Sequence, residues 1–203
     1  MHISEGVLST PVLLGGVVLA AVGTAVGLRR VDYDRLMHVA ILSAVFFVAS
    51  LIHVPIGPSS AHLVLNGLLG AMLGWAAFPA ILIGLTLQAV LFQYGGLTAL
   101  GANTFNMAAP AVVCFYLFRP LMISEATVRR NVGAFLCGAF AVLASGLLTA
   151  VSLGLSGDAL IPAAQTLFIA HLPVAAVEGC VVSFVVSFLA RAKPEALGVR
   201  PAH

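Results

Sequence analysis

Charge is nearly missing from this chain. Of 203 residues only 8% are Asp, Glu, Lys or Arg, 61% are apolar, and the mean hydropathy is +1.13. Soluble domains carry about 25% charged and about 45–50% apolar residues, so a water-soluble globule is excluded. Nine Lys and Arg against seven Asp and Glu leave a net charge of +2, too weak a field for a nucleic-acid partner. Only three cysteines occur, Cys114, Cys137 and Cys180, without paired spacing, which excludes a disulfide framework and a zinc site. The single lysine, Lys193, follows no glycine-rich turn, so the chain holds no phosphate loop. What remains is an all-α integral membrane protein, read as one transmembrane domain over residues 1–203.

The few charges divide the chain into membrane-spanning units, each of about 20 apolar residues. Gly6 to Leu28 is a charge-free run long enough for one crossing, and Leu36 to Phe118 is long enough for four. Asn131 to Ala190 contains only Asp158 and Glu178, and the turn-like Ser156-Gly157-Asp158 segment splits it into two. The predicted spans are Val7–Leu28, Leu36–Val54, Ala61–Trp75, Pro79–Tyr94, Asn103–Phe118, Val132–Leu155 and Pro162–Ala190, seven in all. Arg29, Arg30 and Arg35 follow the first span, Arg119, Arg129 and Arg130 the fifth, and Arg191, Lys193 and Arg200 the seventh. All nine basic residues therefore fall on one side. The positive-inside rule makes that side cytoplasmic, with the N-terminus outside.

Met1-His2 stands ahead of the first span without a basic leader, and Glu5 occupies a position where a signal peptide would carry Lys or Arg. The first span is therefore expected to be retained. A histidine in position 2 of an uncleaved chain chelates by covalent geometry. The Met1 amine and the His2 amide nitrogen close one ring on a metal, and that amide and the imidazole Nδ1 close a second. Planar nitrogen donors of this kind suit Ni(II) or Cu(II), and imidazole also binds cobalt. One in-plane position stays open. His62, after the outer turn Gly57-Pro58-Ser59-Ser60, is the candidate to fill it; its bland reading is a locally hydrogen-bonded helix start. Asn66 lies four residues on, on the same face of a helical span 3, where it could orient a ligand.

Met1-His2-Ile3-Ser4-Glu5-Gly6 resembles the opening of the cobalt/nickel-specific substrate-binding subunits (CbiM/NikM family) of energy-coupling factor transporters. The likeness continues through Pro55-Ile56-Gly57-Pro58-Ser59-Ser60-Ala61-His62, through Gly95-Gly96 to Met107-Ala108, and ends at His171-Leu172-Pro173 and Glu178-Gly179. The outer turn departs from the Pro-Gly-Gly-Thr type of many relatives. The resemblance implies seven helices in a prokaryotic cytoplasmic membrane and one Co(II) or Ni(II) as transported substrate. It implies Met1, His2 and His62 as the ligands, with the Asn103 to Asn106 segment packing over them. It also implies partners: a membrane coupling subunit and two cytoplasmic ATPase subunits, with room for a small accessory membrane subunit. This chain itself would catalyse no covalent chemistry.

Other polar residues keep two readings. His53 ends span 2 as an interfacial histidine or an access residue. His171 and Glu178 are seven apart on one helix, a structural hydrogen-bond network or a route for metal; at about 10 Å along the axis they are too distant to share one ion. Asn103 could simply cap span 5. A rival from another class is an intramembrane serine protease of rhomboid type, since Gly154-Leu155-Ser156-Gly157 matches Gly-x-Ser-Gly and His171 could act as base for Ser156. The outer-turn position of Ser156 argues against it.

Overall fold

The computed structural model describes residues 3–31, 36–51, 53–56 and 59–197, and for 53–56 and 59–62 the backbone only. Met1, His2 and the C-terminal residues lie outside the described residues. Among the described residues eight α-helices and one hairpin follow in the order α1 (Thr10–Arg29), α2 (Leu36–Ala49), β1 (His53–Ile56), β2 (Ser59–His62), α3 (Asn66–Leu73), α4 (Ala77–Phe92), α5 (Leu100–Leu117), the one-turn α6 (Arg119–Met122), α7 (Thr127–Gly154) and α8 (Ile161–Ala192). Five helical stretches have the length and hydropathy of membrane spans, and α2 is a shorter apolar helix.

Close approaches fix the chain directions. Asn66, Gly70 and Gly74 meet Met107, Ala111 and Phe115 in turn, a constant offset, so α3 and α5 run parallel. Gly23 of α1 faces Phe78, and Gly27 faces Trp75 and Pro79, so α4 runs against α1. The chain thus reverses at Gly74-Trp75-Ala76, where Gly74 takes φ +58. Ser43 donates to the Ala80 carbonyl and Phe46 packs on Gly84, placing α2 parallel to α4. α7 and α8 pair antiparallel along their length, from Gly146 against His171 to Asn131 against Ser183 and Ser187. The small residues at these crossings let the backbones close on one another.

Arg30 stacks over Trp75 and Arg119 over Phe115, and both line one cavity with His38 and Glu195. At the opposite end Ile3 and Leu8 pack with Ala99, Ala102, Leu153 and Ala164.

The predicted third span is corrected. Ala61–Trp75 is not one helix: β2 ends at His62, residues 63–65 are non-helical, and only Asn66–Leu73 is helical. The second predicted span likewise stops at Ala49, and His53 and Val54 belong to β1. Asn66 lies level with Met107, seven residues into α5 and so about 10 Å from that helix's N-terminal end. Non-helical backbone at such depth is tolerated only when protein buries and satisfies it. Val64 and Leu65 are buried, and the Glu178 carboxyl of α8 accepts both of their N–H groups.

Candidate metal-capture site

The chain after His2 is held in place from α5. Asn103 Nδ2 donates to the Ile3 carbonyl at 3.1 Å, and the Ile3 N–H donates to Asn103 Oδ1 at 3.0 Å. An asparagine used both ways mimics a strand partner for a single residue. Asn103 is therefore not the cap of α5; that position is Ala99, which has no side-chain cap bond. Two residues on, Glu5 accepts the Leu97 and Thr98 N–H groups at 2.8 and 3.3 Å. The Ser9 N–H then donates to Ser156 Oγ at 3.1 Å. Three ties fasten residues 3–9 across the start of α5 and the end of α7.

The other anchored segment follows His62. Asn66 opens α3, fully buried, and its Nδ2 donates to the Met107 carbonyl at 3.0 Å and to Ser145 Oγ at 2.9 Å. Its Oδ1 is buried and has no hydrogen-bond partner among the described residues. Leu65 just before it takes φ 54, ψ 15, a left-handed conformation that costs an L-residue about 1–2 kcal/mol. Since His62 lies in β2, the shared helix face expected for His62 and Asn66 does not exist. His62 is instead the register partner of His53.

Asn106 binds Ser152, with Nδ2 donating to Oγ at 3.1 Å. His171 Nδ1 lies 2.6 Å from the Leu167 carbonyl of its own helix, and its ring faces Gly146. Glu178 is fully buried and serves the hydrogen-bond network read for it. The protease reading gains no support. Ser156 Oγ donates to the Ser152 carbonyl and receives the Ser9 N–H, while His171 bonds within its own helix.

The sequence reading missed one polar row. Ser145, Thr149 and Ser152 fall at intervals of four and three residues along α7, one face of a helix, and Ser156 follows in the turn just after it. Ser145 meets Asn66, Ser152 meets Asn106, and Thr149, buried between them, has no hydrogen-bond partner among the described residues. That spacing was visible in the sequence. What was not visible is that α3 and α5 present asparagines to it.

Comparison with known proteins agrees with this architecture. Residues 2–196 match the family described as "Cobalt uptake substrate-specific transmembrane region", CbiM. A "Putative metal transport protein" of Haemophilus influenzae is 44% identical over 202 residues, 97% of each chain. The "Fused nickel transport protein NikMN" of Rhodobacter capsulatus is 34% identical over all of this chain, which spans 65% of that longer protein. Among solved structures, a truncated transition metal transporter superposes with TM-score 0.76 at 31% identity, covering 94% of this chain and 98% of its own.

Proposed function

The chain belongs to the CbiM family of cobalt uptake transmembrane proteins, and from that premise we propose that it is the metal-capturing subunit of an ATP-driven importer of Co(II) or Ni(II). It is a multi-pass membrane protein with prokaryotic relatives. In this reading the chain crosses the membrane seven times, α3 with the hairpin before it serving as one crossing. The arginine-rich end is cytoplasmic by the positive-inside rule, and residues 3–9 lie at the outer end.

The metal is substrate. The Met1 amine, the His2 amide and imidazole, and the His62 imidazole are its ligands, four nitrogens of the kind Ni(II) and Co(II) accept. The observation that carries the reading is the double hydrogen bond of Asn103 to Ile3, immediately after the proposed chelate. A short terminal segment has no reason of its own to hold one conformation. Fixing the peptide that follows His2 reduces the ordering that metal binding must otherwise supply. Asn66 Oδ1, buried and unpaired among the described residues, is an acceptor for a ligand N–H from outside the coordination sphere. Asn106 holds α5 to α7 beneath the segment, His53 supports the hairpin opposite His62, and His171 lies along the route from the site to Glu178.

Energy for transport comes from two cytoplasmic ATPase subunits through a membrane coupling subunit. The NikMN relative, about a third of which lies outside the match, is consistent with an additional membrane component joined to the capture unit. The direct test is equilibrium binding of Ni(II) and Co(II) to detergent-purified chain tagged only at its C-terminus. One ion per chain, lost in His62→Ala, supports the proposal; full binding by His62→Ala contradicts it.

A further inference from the structure

Helix α3 lacks a cap of its own. The residue before it is Leu65, which has no side-chain cap bond, although Ser, Thr, Asn or Asp at that position would satisfy the first N–H groups locally. Glu178 of α8, 113 and 114 residues away in sequence, acts instead as a remote cap on the backbone entering the helix: its two oxygens accept the N–H groups of Leu65, the residue at the cap position, and of Val64 before it. A local cap would hold the start of α3 wherever the other helices went. A cap supplied by α8 ties the start of α3 to α8. The next residue, Asn66, is tied to α5 and α7. Residues 64–66 are thus anchored on three helices at once, and the backbone leaving this anchor towards the outer end reaches His62 after a single intervening residue, Leu63.

We infer that Glu178 is a positioning residue for His62: by capping α3 from α8 it fixes where the histidine of β2 stands, so that the quality of the metal site follows the placement of α8. The inference rests on the reading of His62 as a ligand given above. Two parallel N–H donors call for two acceptor oxygens, which a carboxyl supplies. An amide supplies one, and turns its own N–H groups on the second donor.

The test compares Ni(II) binding and the ligand-field absorption of bound Ni(II) in full-length wild type, Glu178→Gln, Glu178→Asp and Ser187→Ala. Ser187→Ala cuts the Ser187–Asn131 tie of α8 to α7 far from α3, and so controls for general loosening of α8. Glu178→Gln is expected to weaken binding by about 10–100-fold, the usual effect of losing a support behind a metal ligand, and to shift the absorption band. Glu178→Asp, with both oxygens on a shorter arm, recovers part of each, and Ser187→Ala changes neither. Wild-type affinity and band in Glu178→Gln would overturn the inference. So would equal weakening in Glu178→Gln and Ser187→Ala with an unmoved band. Should Glu178→Gln not fold, Glu178→Asp against Ser187→Ala decides on the same two readouts. Absence of nickel binding by the wild type would instead overturn the reading of His62 itself, and this inference with it.

Discussion

Asn103 of α5 and Ile3, one hundred residues apart, share two hydrogen bonds of 3.0 and 3.1 Å in a buried setting. The side-chain amide uses its acceptor and one donor on the N–H and carbonyl of the same residue, so the two peptide groups flanking Ile3 are both held. Asn103→Ala should leave the helix bundle folded and lower Ni(II) affinity. Loss of the pair removes about 1–2 kcal/mol of ordering, roughly 5–30-fold in the binding constant. Calorimetric titration against wild type measures it.

Neighbouring glycines of α1 should respond in opposite ways. A Cβ on Gly16 would stand 2.6 Å from Ala102 Cα and 2.7 Å from its backbone nitrogen, whereas at Gly15 nothing lies within 4 Å. Gly16→Ala must push α1 off α5, an overpacking cost of about 1–3 kcal/mol, and lowers the thermal midpoint in detergent. Gly15→Ala keeps the packing and gains helix propensity of up to about 1 kcal/mol, so its midpoint stays or rises.

The proposed orientation assigns Asp158, between α7 and α8, to the outside and Glu195, after α8, to the cytoplasm. In a Cys180→Ser background, Asp158→Cys in intact cells should react with a membrane-impermeant maleimide. Glu195→Cys should react only after the cells are opened. The reverse pattern would invert the topology.

Metal capture by an amine, an amide and two imidazoles releases protons, because each donor must be deprotonated to ligate. Imidazole titrates near about pH 6.5 and an α-amine near about 7.7–8.0. Affinity for Ni(II) should therefore fall steadily as pH drops from 8 through 6. Titrations in buffers of different ionisation enthalpy should give apparent heats that vary with the buffer.

The helices were legible because their information is local. Charge-free runs set α1, α4, α5, α7 and α8 to within a few residues of their observed bounds, and glycine and proline marked the reversal at Gly74. The third span was misread for a physical reason. Hydropathy over Ala61–Trp75 is the same whether the backbone is helical throughout or enters as a hairpin and coils only from Asn66. What decides is Glu178, a partner more than one hundred residues away. Asn103 was singled out, but its actual partner is the Ile3 peptide, and side-chain-to-backbone pairing across the chain leaves no trace in sequence spacing. Glu178 could be recognised alone, because a carboxyl deep in an apolar run must find donors; which donors only the fold reveals.

The central claim is that the terminus itself chelates, and changing ring size tests it without removing a donor. A variant with one glycine inserted between Met1 and His2 keeps every side chain but breaks the adjoining chelate rings. It should be titrated with Ni(II) and Co(II) beside the wild type, both tagged only at the C-terminus. One-to-one binding by the wild type, lost in the insertion variant, is the predicted result. Equal binding by both would contradict it and move the site to side chains alone, with His53, His62 and His171 as the histidines to examine.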